Sequence, residues 1–119
     1  MTDKTIAFFN GEYLPKSEVH ISPDDRGFLF ADGVYEVIRS YHGKLFRAKE
    51  HIRRLENSLA GIKIPYKAIS DLEKIAEELI SKNSLQRTDA LVYIQITRGA
   101  YKRTHQFPVG NIVPTVYCC

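Results

Sequence analysis

The chain is organised around one segment, Asp25-Arg26-Gly27-Phe28-Leu29-Phe30-Ala31-Asp32-Gly33-Val34-Tyr35-Glu36. These twelve positions hold two glycines, two aspartates, an arginine and three aromatic residues, directly before a strand-like run. Glycine permits a left-handed backbone or a close approach by another part of the chain. The apolar residues at positions 28–30 can anchor a turn against a core. The segment therefore predicts a tightly folded loop that fixes the position of Tyr35.

Length and composition are typical of one globular domain. The chain has 119 residues, of which 44% are hydrophobic and 26% are charged, and this length is enough to bury a core. The net charge of +3 is too small to indicate a nucleic-acid partner. No apolar run approaches the length of a membrane span, and the first residues lack the apolar core of a signal peptide. We therefore expect a cytoplasmic protein with no membrane partner.

The cysteines and histidines give no sign of a disulfide framework or a metal site. Cys118 and Cys119 are adjacent at the end of the sequence, and this spacing suits neither a pair of disulfides nor a metal motif. We expect free, reduced thiols in a buried strand. The four histidines show no ligand spacing, so we expect no metal.

Strand patterns occupy the first part of the chain, at residues 6–9, 12–14, 34–41 and 44–46. Asn10-Gly11 and His42-Gly43 separate neighbouring strands, and Asn-Gly suits a two-residue type I′ hairpin turn. In the third strand, alternation puts Tyr35 and Val37 on one face and Glu36 and Ile38 on the other. Neither face is purely apolar, so we expect this strand to border solvent.

Helical periodicity follows in two segments. Apolar residues recur at helical intervals over residues 49–60, with Gly61 as a plausible stop. Ser70-Asp71-Leu72-Glu73 then fits a capping box, in which Ser70 and Glu73 satisfy each other's backbone donors. The helix after it is expected to end near Asn83 and carries an apolar stripe at positions 72, 75, 76, 79 and 80.

Strand patterns return at residues 90–97 and 111–119, with a long loop at 98–110 between them. Strands, then two helices, then strands predict an α+β fold, in which two main helices cover an antiparallel sheet in two layers. Because the last strand pattern runs to the final residue, we expect the chain to be part of a longer protein.

Three groups of residues are candidates for binding. Tyr35 has a phenol that can donate to an anion, although a half-buried strand tyrosine is the simpler alternative. Arg53 and Arg54 lie on one helix. They are either solvated surface residues or donors that bind a phosphate bidentately, and spacing alone does not decide between these two roles. The loop at 97–105 holds three cations and a histidine. It is either a connection or an anion-binding loop.

Together these motifs resemble the fold-type IV pyridoxal-phosphate-dependent aminotransferases. That family contains D-amino-acid transaminases, branched-chain transaminases and aminodeoxychorismate lyases. The resemblance covers nearly the whole chain and rests on five motifs in order: Phe9-Asn10-Gly11, Asp25-Arg26-Gly27-Phe28, Asp32-Gly33-Val34-Tyr35-Glu36, His51-x-x-Arg54-Leu55 and Thr97-Arg98-Gly99. It implies that residues 1–119 form the small N-terminal domain of the D-amino-acid aminotransferase-like fold.

The resemblance also implies roles for individual residues. Arg54 corresponds to the arginine that binds the phosphate of pyridoxal 5′-phosphate, and Val37 is expected near the same cofactor. Tyr35, Arg103 and His105 correspond to the residues that bind the substrate carboxylate in the D-amino-acid type. In that type the loop with the arginine and histidine comes from the partner subunit, so a homodimer is expected.

The same resemblance places the Schiff-base lysine in a second, C-terminal domain that this sequence does not contain. Lys44, Lys63 and Lys102 do not match its position, so no catalytic residue is assigned here. We expect the complete enzyme to move an amino group between a D-amino acid and a 2-oxo acid, and the 119 residues alone to be inactive.

Two alternatives stay open at this point. Within the family, the chain could belong to an aminodeoxychorismate lyase or a branched-chain aminotransferase. Outside enzyme chemistry, it could be a non-catalytic binding or dimerisation module. Either way, half of a two-domain enzyme should expose apolar surface that the other half normally covers.

Overall fold

The computed structural model describes residues 4–102 and 112–119. Strands from both ends of the chain form one sheet, and the two longer helices from the middle of the chain pack on one face of it. The predicted α+β fold with two layers is therefore confirmed.

Within residues 4–102 and 112–119 the sheet contains six strands: β1 (Ile6–Phe9), β2 (Glu12–Pro15), β3 (Gly33–Tyr41), β4 (Lys44–Leu45), β5 (Ala90–Thr97) and β6 (Thr115–Cys118). Their order is β2-β1-β6-β5-β3-β4, and every neighbouring pair is antiparallel. Both predicted hairpins are present. Asn10 and Gly11 have φ values of 47° and 93°, the left-handed backbone that a type I′ turn needs.

The described residues form three α-helices: α1 (Arg26–Phe30), α2 (Ala48–Gly61) and α3 (Leu72–Lys82). The first of these corrects the expectation of an irregular loop after Asp25. The Asp25 carboxylate accepts a 2.8 Å hydrogen bond from the backbone N–H of Gly27, so it caps a short helix at its start. Ala31, with a left-handed φ of 53°, ends that helix. In the part of the chain that the structure describes, no helix is both long and apolar enough to cross a membrane.

The core lies between the sheet and the helices. The predicted stripe on α3 is confirmed, since Leu72, Ile75, Ala76, Leu79 and Ile80 are all buried. They pack with the remaining members of one apolar cluster: Phe8, Ile38, Leu55, Leu59, Ile64, Val92, Ile94, Ile96, Val116 and Cys118. The expectation that the cysteines are free is also confirmed, with Cys118 buried and Cys119 partly buried.

The predicted capping box at the start of α3 is wrong. A 3₁₀ turn at Ile69–Asp71 precedes the helix, and no side chain caps it. The backbone N–H of Leu72 bonds to the carbonyl of Ile69 instead. Because the helix begins at Leu72 with Asp71 as its N-cap, Ser70 and Glu73 do not occupy the N-cap and N3 positions that a capping box requires.

Neither α2 nor α3 covers the other face of the sheet; among the described helices the short helix α1 lies there, with Gly27 against Thr97 of β5. Side chains that alternate with the core residues are exposed there, with Tyr35 63% and Leu91 55% accessible. The expectation that β3 borders solvent is therefore confirmed. We call this surface, formed by the side chains of Tyr35, Val37, Tyr93, Gln95 and Tyr117, the outer face.

Gly33 starts β3 at a point of very close backbone approach. A Cβ atom there would lie 2.8 Å from the carbonyl oxygen of Ile96 and 3.1 Å from Cα of Thr97, both on β5. Gly33 pairs with Thr97 in the ladder. The glycine is therefore needed for space, and it sets the register of β3 against β5.

We predict that Gly33→Ala lowers the free energy of unfolding by about 1–3 kcal/mol, because the backbone of β5 must shift to admit the methyl group. Gly61→Ala is the matched control. No atom lies within 4 Å of a Cβ built at Gly61, and alanine suits a helix better than glycine. Urea denaturation of both variants tests this. Equal stability of the Gly33→Ala and Gly61→Ala variants would contradict it.

Candidate functional site

The carboxylate of Asp32 joins α1 to the end of β5. It accepts hydrogen bonds from Nε of Arg26 at 3.0 Å and from Nε of Arg98 at 2.7 Å. Both arginine side chains are only 8% exposed. Charged groups are rarely buried to this extent without partners, so this cluster is a structural junction.

Arg98 extends the junction to the segment after α2. Its Nη2 donates to the carbonyl oxygen of Ile62 at 2.6 Å, and its Nη1 donates to that of Lys63 at 3.1 Å. Its backbone N–H also donates to the carbonyl of Asp32 at 3.0 Å. Arg98, the first cation of the basic loop, therefore has a structural role.

Burial alone would raise the pKa of Asp32, but the hydrogen bonds from Arg98 and Arg26 outweigh it. The net effect holds the pKa of this carboxyl below its usual value of 3.8. Asp32 is therefore ionised in the folded protein well into the acidic range, and its charge contributes to stability.

A second carboxylate, Glu36, binds two bases of α2. Arg54 donates to it from Nε at 2.7 Å and from Nη2 at 2.8 Å, which is a side-on bidentate pair. Nδ1 of His51 lies 2.8 Å from the same carboxylate. His51 and Arg54 are three positions apart on the helix, so they face the same way.

Exposure within this second cluster is uneven. The side chain of Glu36 is 6% exposed, that of His51 23% and that of Arg54 69%. The hydrogen bonds from Arg54 are the main cause of a lowered pKa at Glu36; burial opposes them, and His51 adds to them. Glu36 is thus a buried anion that holds the inner edge of a largely exposed guanidinium.

Tyr35 is the neighbour on β3 of Glu36, the residue that holds Arg54. Tyr35 and Glu36 point to opposite faces of β3 because successive strand residues alternate. β4 pairs with β3 only at Ser40 and Tyr41, so no described strand covers the edge of β3 before them. The hydrogen bonds from Arg54 to Glu36 are the main cause of a raised pKa at Arg54.

The outer face beside Tyr35 carries a hollow of about 600 Å³. Its walls include Phe28, Tyr93, Gln95 and Tyr117. The ring of Tyr93 lies 5.9 Å from that of Tyr35, and its hydroxyl donates to Oε1 of Gln95. The surface of the hollow is mostly apolar, with a few polar side chains such as Gln95 among the aromatic rings, as in many small-molecule sites.

The structure brings some of the sequence-predicted residues together. Tyr35 and Val37 share the outer face of β3, and Arg54 lies at its edge, held by Glu36. Arg103 and His105 lie outside the described residues, so their predicted roles stay predictions. Lys102, immediately before them, is exposed.

Glu36, Asp32 and Arg98 were not assigned individual roles from the sequence. A signal for Glu36 was available, since alternation puts it on the same face as Ile38, where a carboxylate needs a partner. His51 and Arg54 offer such partners at helical spacing. The pairing of Arg98 with Asp32 spans 66 positions, and no local pattern predicts it.

A family model for "Amino-transferase class IV" matches residues 33–118. The chain is also similar to the D-alanine aminotransferase of Staphylococcus haemolyticus, with 38% identity over 113 residues that cover 94% of this chain and 39% of that protein. The D-alanine aminotransferase of Bacillus licheniformis is 45% identical over 103 residues, covering 86% of this chain and 36% of that protein. The chain therefore spans well under half the length of these relatives.

Among solved structures, the branched-chain amino acid aminotransferase of Escherichia coli has the same fold. It superposes with a TM-score of 0.85 at 24% identity, covering 97% of this chain and 40% of that chain. At this identity the likeness concerns the fold and not the substrate.

We predict that folding stability falls on acidification because Asp32 and Glu36 have lowered pKa values in the folded state. Their contribution is complete above the unfolded values of 3.8 and 4.5 and is lost as the pH falls through the lower folded values. Asp32→Asn should cost about 3 kcal/mol at pH 7 and flatten the acid limb. Urea denaturation between pH 7 and pH 2.5 measures both effects.

The matched control for this prediction is Asp89→Asn, which removes an exposed carboxylate just before β5. It should leave both the stability at pH 7 and the steepness of the acid limb close to those of the unaltered chain. An Asp32→Asn variant with an unchanged acid limb would show that Asp32 is not held ionised by its two arginines.

Proposed function

The chain belongs to the class IV aminotransferase family, and we propose that it forms the N-terminal domain of a pyridoxal-phosphate-dependent D-amino acid aminotransferase. The relatives quoted above at 38% and 45% identity are both D-alanine aminotransferases, which supports the D-amino acid over the branched-chain alternative. The bidentate pair of Arg54 with Glu36 is the observation that carries the proposal, because it leaves a held guanidinium at an open edge.

The residues present fit the phosphate of the cofactor. Arginine has five N–H donors, and Glu36 accepts from Nε and from Nη2. Both N–H groups of Nη1 and one of Nη2 remain on the exposed side of the guanidinium. Two such donors in one plane match two oxygens of a phosphate.

In the proposed enzyme Arg54 binds and orients the cofactor phosphate, and Val37 packs beside the cofactor on the outer face. Pyridoxal phosphate, when bound, supplies the electron sink that transamination needs and carries the amino group. The phenol O–H of Tyr35 donates a hydrogen bond to the substrate carboxylate. Arg103 and His105, outside the described residues, complete that carboxylate site from a partner subunit, so the enzyme is a homodimer.

We place the lysine that bonds to the cofactor in a further domain of a longer polypeptide, and not in these residues. The substrates are then a D-amino acid and a 2-oxo acid, which exchange an amino group in the cytoplasm. The 119 residues contribute cofactor anchoring and substrate orientation, and alone they do not transaminate.

We predict that Arg54→Lys weakens retention of pyridoxal 5′-phosphate by about 10- to 100-fold, because lysine is a point charge that cannot hold phosphate bidentately. Arg53→Lys, one position earlier on the exposed side of the same helix, is the matched control and should retain the cofactor. Both variants are made in the polypeptide encoded by the complete reading frame. Cofactor absorbance after dialysis measures retention. Equal losses in the two variants would contradict the assignment of Arg54.

We predict that the same polypeptide transfers the amino group of D-alanine to 2-oxoglutarate faster than that of L-leucine, and that it does not cleave aminodeoxychorismate. Formation of pyruvate and D-glutamate measures the reaction. A preference for L-leucine would assign the chain to a branched-chain aminotransferase, and cleavage of aminodeoxychorismate would assign it to a lyase.

Two further tests concern the cofactor lysine and the alternative of a binding module. After incubation with pyridoxal 5′-phosphate and borohydride, the proposal expects no covalent adduct at a single lysine. A complete reading frame that also lacks transaminase activity, but whose product binds the cofactor reversibly as a stable dimer, would favour the non-catalytic module.

A further inference from the structure

We propose that Glu36 is a positioning residue, which fixes the guanidinium of Arg54 in the orientation that receives a phosphate monoester. The inference rests on the proposed function, in which Arg54 binds the cofactor phosphate. It assigns to Glu36 a role beyond stabilising the fold.

The first observation is the geometry of the pair. Glu36 engages Nε and Nη2, at 2.7 and 2.8 Å, and so it occupies one edge of the guanidinium and leaves Nη1 and one N–H of Nη2 for another partner. The guanidinium is planar and rigid. Fixing two of its nitrogens therefore fixes the direction of the donors on Nη1, which lie on the far side of a side chain that is 69% exposed.

The second observation is that the carboxylate cannot follow Arg54 outward. Oε1 of Glu36 also lies 2.8 Å from Nδ1 of His51, one turn earlier on the same helix. Glu36 is 6% exposed and sits on a central part of β3. With two partners and little free space, the carboxylate is the fixed member of the pair and the guanidinium is the member that is held.

The third observation is that stability alone does not account for a carboxylate at this position. Ile38, on the same face of β3, is fully buried in the core. Replacing a buried ion pair by apolar residues of similar volume is often neutral or stabilising. A charge at this position is explained if it acts on Arg54, the exposed member of the pair. The flexible arginine is then immobilised before its ligand arrives.

A positioning role for Glu36 and simple charge repulsion predict opposite effects on phosphate binding when the charge of Glu36 is removed. The negative charge of Glu36 repels a phosphate dianion, so removing that charge would strengthen binding if charge alone mattered. If Glu36 acts by positioning Arg54, removing it releases the guanidinium and weakens binding. The substitution Glu36→Gln separates the two because it keeps the shape and removes the charge.

The experiment uses the 119-residue chain labelled with ¹⁵N and titrated with pyridoxamine 5′-phosphate, which has no aldehyde to react with surface lysines. Pyridoxamine, which lacks the phosphate, is the ligand control. The Nε–Hε resonance of Arg54, identified by its loss in Arg54→Lys, reports the pair directly. Glu56→Gln, which removes an exposed carboxylate from the same helix, is the matched control variant.

We expect Glu36→Gln to weaken binding of pyridoxamine 5′-phosphate by about three- to tenfold, the size expected for immobilising one flexible side chain. Exchange of the Arg54 Nε proton with water should become faster in the same variant. Glu56→Gln should change neither quantity. Binding of pyridoxamine should be the same in all three proteins, and backbone amide spectra show whether each is folded.

Unchanged or tighter binding of pyridoxamine 5′-phosphate by folded Glu36→Gln would overturn the positioning role and leave the proposed function standing. If Glu36→Gln is unfolded, the unaltered chain decides, because a rapidly exchanging Arg54 Nε proton there would overturn the role as well. If the Arg54 resonance of the unaltered chain does not respond to the phosphate, the assignment of Arg54 itself fails, and the role of Glu36 fails with it.

Discussion

Asp32 accepts hydrogen bonds from two buried arginines, and this pairing fixes how three parts of the chain meet. Arg26 brings in α1, and Arg98 brings in the end of β5 together with the carbonyls after α2. Each of these buried charges would be costly without the others, so the junction forms as a unit. Because β3 begins at the next residue, the junction also fixes where β3 starts.

Glu36 repeats the same chemistry four positions later with a different outcome. At Asp32 both arginines are 8% exposed, whereas at Glu36 the arginine is 69% exposed. The first carboxylate uses its partners to hold segments of the chain together. The second holds its partner at the surface, where the outer donors remain available. Exposure of the cation therefore distinguishes the structural junction from the candidate binding site.

Local patterns in the sequence predicted most of the fold and part of the site. Two-residue turns and the apolar stripe on α3 depend on neighbours in sequence, and these predictions were confirmed. The capping box failed because a 3₁₀ turn at Ile69–Asp71 displaced the helix start. The role of Arg98 was missed because its partners, Asp32 and the carbonyl of Ile62, are distant in sequence. The roles proposed for Arg54 and Tyr35 rest on family resemblance, since the pattern alone also allowed a solvated surface arginine and a half-buried strand tyrosine.

The alternation of β3 lets one strand serve two purposes. Tyr35 and Val37 point to the outer face, which also carries a largely apolar hollow lined by Tyr93, while Glu36 and Ile38 point to the core and to α2. A shift of one residue in register would exchange the two sets and destroy both the core and the hold on Arg54. Gly33 opposes such a shift, because no other residue fits against the carbonyl of Ile96 at the start of the strand. The fold is shared with a branched-chain aminotransferase at 24% identity. A shared fold therefore does not determine which side chains β3 presents on its outer face.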